Sequence, residues 1–227
     1  SIEEQKKLTP ELRASIEAAD SKQRLEDLYL PYKPKRRTKA QIAREAGLEP
    51  LAEALLSTPT LTPAVEAAKY LREPFKTENG DNPGVPDTKA ALDGARQILT
   101  EKFAEDAELI GSLRAWLQEN AVMVSTVAEG KEEAGAKFRD YFDYKEAFKA
   151  IPSHRALALF RGRTEEVLRL ALKLPEEIVT GDVSPPTGPN ACELKIAARY
   201  SIADQGRPGD AWLRETVRWT WQVKVAW

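Results

Sequence analysis

The stretch Leu25–Leu56, LEDLYLPYKPKRRTKAQIAREAGLEPLAEALL, combines the strongest local charge in the chain with its best-marked helix boundaries. Between Leu28 and Arg44 it carries six basic residues and no acidic one. The whole chain has 34 basic and 36 acidic residues, so the other residues hold 28 bases against 36 acids. A local surplus of six positive charges on an acidic protein favours contact with phosphates or with an acidic partner.

Proline and glycine divide the same stretch into short helices. Pro31 and Pro34 prevent the preceding helix from continuing. Thr38 followed by Gln41 has the pattern of a helix start, and Gly47 has the position of a helix end. These helix boundaries predict a compact array of short helices, with the basic segment, residues 33–39, at the junction of two of them.

The basic residues and the two tyrosines beside them are the candidate contact residues for nucleic acid or an acidic partner. They are Tyr29, Tyr32, Lys33, Lys35, Arg36, Arg37, Lys39 and Arg44. Six phosphate contacts on duplex DNA would give a log–log salt slope of about −5. No residue pattern here is suited to reading bases, so we expect binding that is largely independent of sequence. The alternative is a solvated loop whose arginine stems cover apolar surface.

A second interpretation of this region is a DNA-reading helix pair. The spacing of Ala43, Gly47 and Leu48 matches a helix-turn-helix. Glu49 and Glu53 stand where a recognition helix would face phosphates, and acids there repel DNA. The pattern therefore favours a plain packed helix pair.

The remaining sequence predicts a mostly α fold, an irregular multi-helix array with at most one small β-hairpin. Helical spacing occurs over residues 87–107, 106–119, 153–160, 192–200 and 211–227, and 135–144 is also predicted to be helical. Ser153, which follows Pro152, is the predicted N-cap of the third of these helices. Residues 78–86 and 175–189 are rich in proline and glycine and predict loops. Residues 121–127 and 168–174 are either two short strands that pair with each other or helical segments.

The chain offers few candidates for catalysis or metal binding. Asp140 and Asp143 would face one way on a helix, but two carboxylates need further ligands to hold a divalent cation. His154 and Cys192 are the only histidine and the only cysteine, and nothing local pairs them. We therefore predict no catalytic residue, metal site, cofactor or small-molecule substrate.

Composition limits the remaining classes. The sequence has no apolar run long enough to span a bilayer, and its single cysteine fits a reducing cytoplasm, where we expect the protein to act without contacting membranes. The chain begins without methionine and ends within the periodic run Trp212–Trp227, which indicates a fragment of a longer polypeptide. Its predicted segments are a helical region at 1–173, a Pro/Gly-rich loop at 174–190 and C-terminal helices at 191–227.

Four stretches in the same order resemble the bacterial Tex proteins, which are transcription accessory factors. They are LEDLYLPYKPKRRTKAQIAREAGLEPLA (25–52), GAKFRDYFDY (135–144), IPSHRALALFRGR (151–163) and DAWLRETVRWTW (210–221). The resemblance implies an internal part of the N-terminal helical region of a multidomain, cytoplasmic, nucleic-acid-binding protein. The family's RNase-H-like, helix-hairpin-helix and OB-type RNA-binding domains lie outside these residues. Residues 175–189 and 224–227 depart from the family pattern.

The function expected from the residues and the resemblance together is non-catalytic. The chain would be a scaffold portion of a Tex-like transcription accessory factor, with a basic loop that contacts nucleic-acid phosphates non-specifically. Most binding of RNA or DNA would belong to the absent domains, and the resemblance supplies no catalytic residue. The alternative is a helical module that docks an acidic partner, such as RNA polymerase in the transcription machinery, through the same surface.

Overall fold

The computed structural model describes residues 8–32, 37–178 and 188–225 and has a mostly α fold, as the sequence predicts. The α-helices are α1 (Pro10–Glu17), α2 (Lys22–Tyr29), α3 (Lys39–Glu45), α4 (Glu49–Ser57), α5 (Pro63–Ala67), α6 (Thr88–Ala104), α7 (Ala107–Asn120), α8 (Ser153–Thr164), α9 (Ala191–Arg199) and α10 (Asp210–Thr220). The strands are β1 (Phe75–Thr77), β2 (Gly80–Asn82), β3 (Val122–Val127), β4 (Asp143–Ala147) and β5 (Leu168–Lys173). Short 3₁₀ turns and a π-helical turn at Trp221–Val225 complete the described elements.

Local capping signals set several of these boundaries. The Thr38 hydroxyl accepts a hydrogen bond from the Gln41 amide at 3.1 Å, which caps α3. The Asp87 carboxylate accepts from the Ala90 amide at 2.7 Å and caps α6. Gly47 has φ +85°, a left-handed conformation that glycine adopts without steric cost, so the chain turns there between α3 and α4.

Contacts divide the chain into two compact units, and the first comprises residues 1–111 and 192–227. Its central element is α6, which packs against α3, α4, α5 and α10. Small residues allow α3 and α4 to pack closely against α6. A Cβ at Gly94 of α6 would overlap Leu48 and lie 3.3 Å from the Ala43 Cβ. The largest fully buried side chains of this unit include Leu51, Leu55, Leu99, Phe103, Ile196 and Leu213.

A two-stranded hairpin, β1–β2, also belongs to the first unit, and residues 75 to 77 pair with 82 to 80. The prediction of a loop over 78–86 was therefore wrong for Gly80–Asn82. The buried Asn82 side chain donates to the Ile42 carbonyl at 2.9 Å, which fixes the hairpin against α3. This tertiary bond, which joins residues far apart in the chain, stabilises a strand that local composition alone does not favour.

The second unit, residues 112–191, contains an antiparallel three-stranded sheet in the order β4-β3-β5. Of the two alternatives for residues 121–127 and 168–174, the structure has the paired strands, because β3 pairs with β5 from Val122–Lys173 to Val127–Leu168. The sequence predicted at most one small hairpin, so the third strand, β4, makes this sheet larger than expected. A cluster of buried side chains on one face forms the core of this unit, namely Met123, Phe138, Leu159, Val167 and Leu168.

Three predicted details of the helices need correction. The helix expected over residues 135–144 is a 3₁₀ helix at Ala136–Tyr141 followed by β4, since pairing with β3 draws the chain into an extended form. Ser153 is the first residue of α8 rather than its N-cap, a position that Pro152 occupies. The final helix changes from α to π geometry after Thr220.

The Pro/Gly-rich segment is only partly described. Residues 175 to 177 form a 3₁₀ turn, and 179–187 lie outside the described residues. The division into segments 1–173, 174–190 and 191–227 stays a prediction. Within the part of the chain that the structure describes, no helix is both long and apolar enough to cross a membrane.

Candidate nucleic-acid interface

Five of the eight candidate residues are among the described residues, and they lie before and after residues 33–36, all in the first unit. Tyr29 ends α2 and Tyr32 ends the 3₁₀ turn that follows it, and both are half-buried. Arg37 lies just before α3, Lys39 is its first residue and Arg44 is in its last turn. Lys33, Lys35 and Arg36 lie outside the described residues.

The Arg37 guanidinium is committed to bonds within the protein. Its Nη2 lies 2.6 Å from Oε2 of Glu45, and its Nε lies 3.2 Å from the same oxygen. Its Nη1 donates to the Asp81 carbonyl at 3.0 Å, so one side chain joins α3 to the β1–β2 hairpin. Arg37 and Glu45 are only 23% and 10% exposed, which leaves the pair little screened by water.

Arg44 is committed in a similar way. Its Nη1 lies 2.7 Å from Oε1 of Glu101 on α6, and its Nε lies 3.4 Å from Oε1 of Glu49 on α4. The Thr38 hydroxyl donates to the other Glu101 oxygen at 3.0 Å. Arg44 therefore links three helices, and its charge is balanced locally by two carboxylates.

The bonds from Arg37 also change the pKa of the Glu45 carboxylate. Hydrogen bonds from Arg37 first, and from Asn79 second, lower the pKa of Glu45 below its ordinary value of 4.5, against a smaller opposing effect of burial. Glu45 is therefore held in its charged form. A charged Glu45 keeps Arg37 turned inward, toward the helix and the hairpin.

Lys39 differs from the two arginines. Its side chain is exposed, and no hydrogen bond or ion pair to another described residue is found for it. It points toward an open cleft of about 680 Å³ that Ile42, Ala43, Leu48 and Trp219 also line. Sequence patterns do not reveal this cleft, because Trp219 belongs to the periodic run Trp212–Trp227 and such apolar helical spacing is typical of buried residues, whereas its side chain is 41% exposed.

The helix pair α3–α4 fits the packed-helix interpretation better than a DNA-reading one. Leu51, Ala52 and Leu55 are buried on α4. Glu49 is bonded to Arg44, and Glu53 is exposed on α4. An exposed acid on the second helix repels phosphate, so the pair does not present the surface that groove reading needs.

Comparisons with known proteins agree with this architecture. A family model described as Tex central region-like matches residues 58–227. Protein YhgF of Escherichia coli is 52% identical over 225 residues, which are 99% of this chain and 27% of that protein. Transcriptional accessory protein Tex of Neisseria gonorrhoeae is 54% identical over the same shares of both chains. The chain belongs to the Tex family.

A more distant relative is a human protein. The human S1 RNA-binding domain-containing protein 1 is 28% identical over 161 residues, 68% of this Tex-family chain and 15% of that protein. The chain spans about a quarter (27%) of the length of the bacterial relatives above, as expected for a piece of a longer polypeptide. The predicted resemblance to Tex is confirmed over nearly the whole sequence.

The residues considered for catalysis and metal binding lie in different elements of this Tex-family chain. Asp140 lies in a 3₁₀ helix and Asp143 begins β4, so the shared helical face predicted for them was wrong. His154 is exposed on α8 in the second unit, and Cys192 is buried on α9 in the first. Among residues 8–32, 37–178 and 188–225 no group of three or more His, Cys, Asp or Glu side chains is suited to hold a metal ion.

Proposed function

We propose that the chain is a non-catalytic scaffold portion of a Tex-like transcription accessory factor. Its basic segment contacts nucleic-acid phosphates without sequence preference, and the domains outside this chain carry most of the binding. The protein works in the cytoplasm, and transcription machinery is a second partner.

Because Arg37 and Arg44 are bonded to internal carboxylates, fewer cations are available for phosphate contact than the six that the sequence supplies. Their charges are balanced within the protein, so they contribute little to an external phosphate. Lys39 is exposed, and Lys33, Lys35 and Arg36 immediately precede the anchored Arg37. The proposal therefore assigns phosphate contact to these four cations and a supporting role to the two arginines.

The names of the relatives support a role near nucleic acid. One is a transcriptional accessory protein, and the human relative is named for an S1 RNA-binding domain. Three of the four proposed cations are lysines, whose ammonium groups bind phosphate as point charges. Such contacts position a strand and carry no sequence information.

The test is fluorescence anisotropy with labelled single- and double-stranded DNA and RNA over a salt series. The test variant changes Lys33, Lys35 and Arg36 to Glu. A matched control changes Lys145, Arg169 and Lys173 to Glu, since these three lie on strands β4 and β5, are exposed and have no partner among the described residues. Circular dichroism verifies the fold of both.

The proposal requires binding that weakens with salt, is lost in the loop variant and persists in the control. Equal loss in both variants would mean that only net charge matters. No binding at low salt would leave the alternative in which the same surface docks an acidic protein.

A further inference from the structure

The cleft beside α3 has an apolar floor that the proposed phosphate contact does not use. Ile42 and Ala43 of α3 line it, together with Ala46, Leu48 and Pro86. The floor lies against α6, where Gly94 leaves room for Leu48. At about 680 Å³ the cleft has the size of a ligand or peptide site.

Trp219 forms a wall of this cleft and remains 41% exposed. Val223, one turn further along, is 44% exposed, so the apolar surface continues beyond the cleft. A tryptophan at the edge of a concave apolar surface has the character of a binding hot spot. The cleft and its flank thus present a groove rather than an isolated cavity.

Positive charge surrounds this apolar floor. The basic residues Lys39, Lys89 and Arg96 line the cleft, and Asp93 is its one acidic lining residue among the described residues. Lys89 pairs with Asp93 at 2.8 Å, but both side chains are largely exposed, so the pair is weak. The rim is positive although the chain as a whole has a formal charge of −2.

One donor in the cleft lacks an acceptor. Arg96 Nη2 lies 2.7 Å from Glu215, but its buried Nε has no hydrogen-bond partner within the described part of the chain. This atom is covered by the protein and the Arg96 side chain is only 15% exposed, so Arg96 forms part of the cleft wall and is not available to an occupant. The acceptors of an occupant therefore meet the two lysines of the rim, Lys39 and Lys89.

We propose that this cleft binds an acidic amphipathic helix of a partner protein. Apolar side chains at helical spacing fill the aliphatic floor and contact Trp219, and carboxylates meet Lys39 and the largely exposed Lys89. A nucleic acid fits less well, because a floor of alanine, leucine and isoleucine side chains offers little for a phosphate or a base edge. The inference does not depend on the basic segment, apart from Lys39, which both surfaces share.

The experiment selects binders from a displayed library of random peptides of about 14 residues, roughly four helical turns. The 227-residue chain is the bait, and a Lys33, Lys35 and Arg36 to Glu variant removes peptides held by the basic segment alone. Enriched peptides are then synthesised with a fluorescent label, and their affinities are measured by anisotropy. We expect peptides rich in Asp and Glu, with Leu, Phe or Trp three and four residues apart.

Two variants alter the cleft in opposite ways. Trp219→Ala removes the wall, and Ala90→Trp fills the cleft from a half-buried position on α6. Each should weaken an enriched peptide about tenfold or more. Leu157→Ala is the matched control, because it removes a large exposed apolar side chain in the second unit and should leave binding unchanged.

Two charge-reversal variants on α6 test the contribution of the basic rim. Lys89→Glu on the rim should weaken acidic peptides, whereas Lys102→Glu near the other end of α6 should not. The proposal is overturned if no peptide is enriched over the filled variant, or if enriched peptides bind both cleft variants as tightly as the original chain. It is also overturned if Trp219→Ala abolishes self-association in sedimentation or oligonucleotide binding instead, which would assign the cleft to a second copy or to nucleic acid.

Discussion

The number of cations that contact phosphate can be counted from the salt dependence of binding. The sequence supplies six, but the structure commits Arg37 and Arg44 to carboxylates at 2.6 and 2.7 Å. Each neutralised phosphate contributes about −0.9 to the log–log slope on duplex DNA, so four contacts give about −3.6 and six give about −5.4. Between 50 and 200 mM salt, affinity then falls about 150-fold for four contacts and about 1,800-fold for six.

Two variants distinguish these counts. Lys39→Gln removes one proposed contact and should reduce the slope by about 0.9. The double variant Arg44→Gln and Glu101→Gln removes an internal pair without changing the net charge, and only the half-exposed Glu49 loses its arginine, so the slope should stay unchanged. Both are measured by anisotropy on one labelled duplex, with circular dichroism to confirm that each variant is folded.

A slope near −5.4 in the original chain, together with a loss of about 0.9 in the double variant, would contradict the count of four contacts. That result would show that Arg44 leaves Glu101 to bind phosphate. A slope near −3.6 that Lys39→Gln does not change would move the contact to other cations.

Three further predictions concern the scaffold. Replacing the fully buried Phe103 with Ala should lower the free energy of unfolding by about 3–5 kcal/mol in urea titrations, and a change below about 1 kcal/mol would contradict its central place in the core. Asp106 accepts from the Leu109 amide at 3.0 Å, from Arg199 at 2.8 Å and from Tyr200 at 3.1 Å, so Asp106→Ala should cost about 2 kcal/mol and Asp106→Asn about half, since Asn still caps α7. Equal losses in these two variants would exclude capping as a separate contribution. Because the folded-state pKa of Glu45 lies below its ordinary value of 4.5, its stabilisation is present above that pH and disappears as the pH falls through the folded-state pKa. The melting temperature of the original chain should therefore fall more steeply in acid than that of Glu45→Gln, and parallel curves would argue against the effect.

Sequence patterns determined those parts of the protein whose causes are local. The cap at Thr38 and the left-handed turn at Gly47 each depend on residues within a few positions, and the structure has them where the sequence predicts. The mostly α class and the membership of the Tex family were also accessible from sequence. For residues 121–127 and 168–174 the sequence left paired strands and helical segments as alternatives, and the structure has the paired strands.

Only the tertiary structure decided what the charged side chains do. Arg37 and Arg44 are indistinguishable from Lys39 in a count of charge, but Arg44 meets Glu101 from a distance of 57 residues along the chain and Arg37 meets the hairpin 44 residues away. The strand β4 and the cleft beside Trp219 likewise depend on partners remote in sequence. A guanidinium is available to a ligand only if no carboxylate of the fold reaches it first, and the long-range packing of helices settles which carboxylates do.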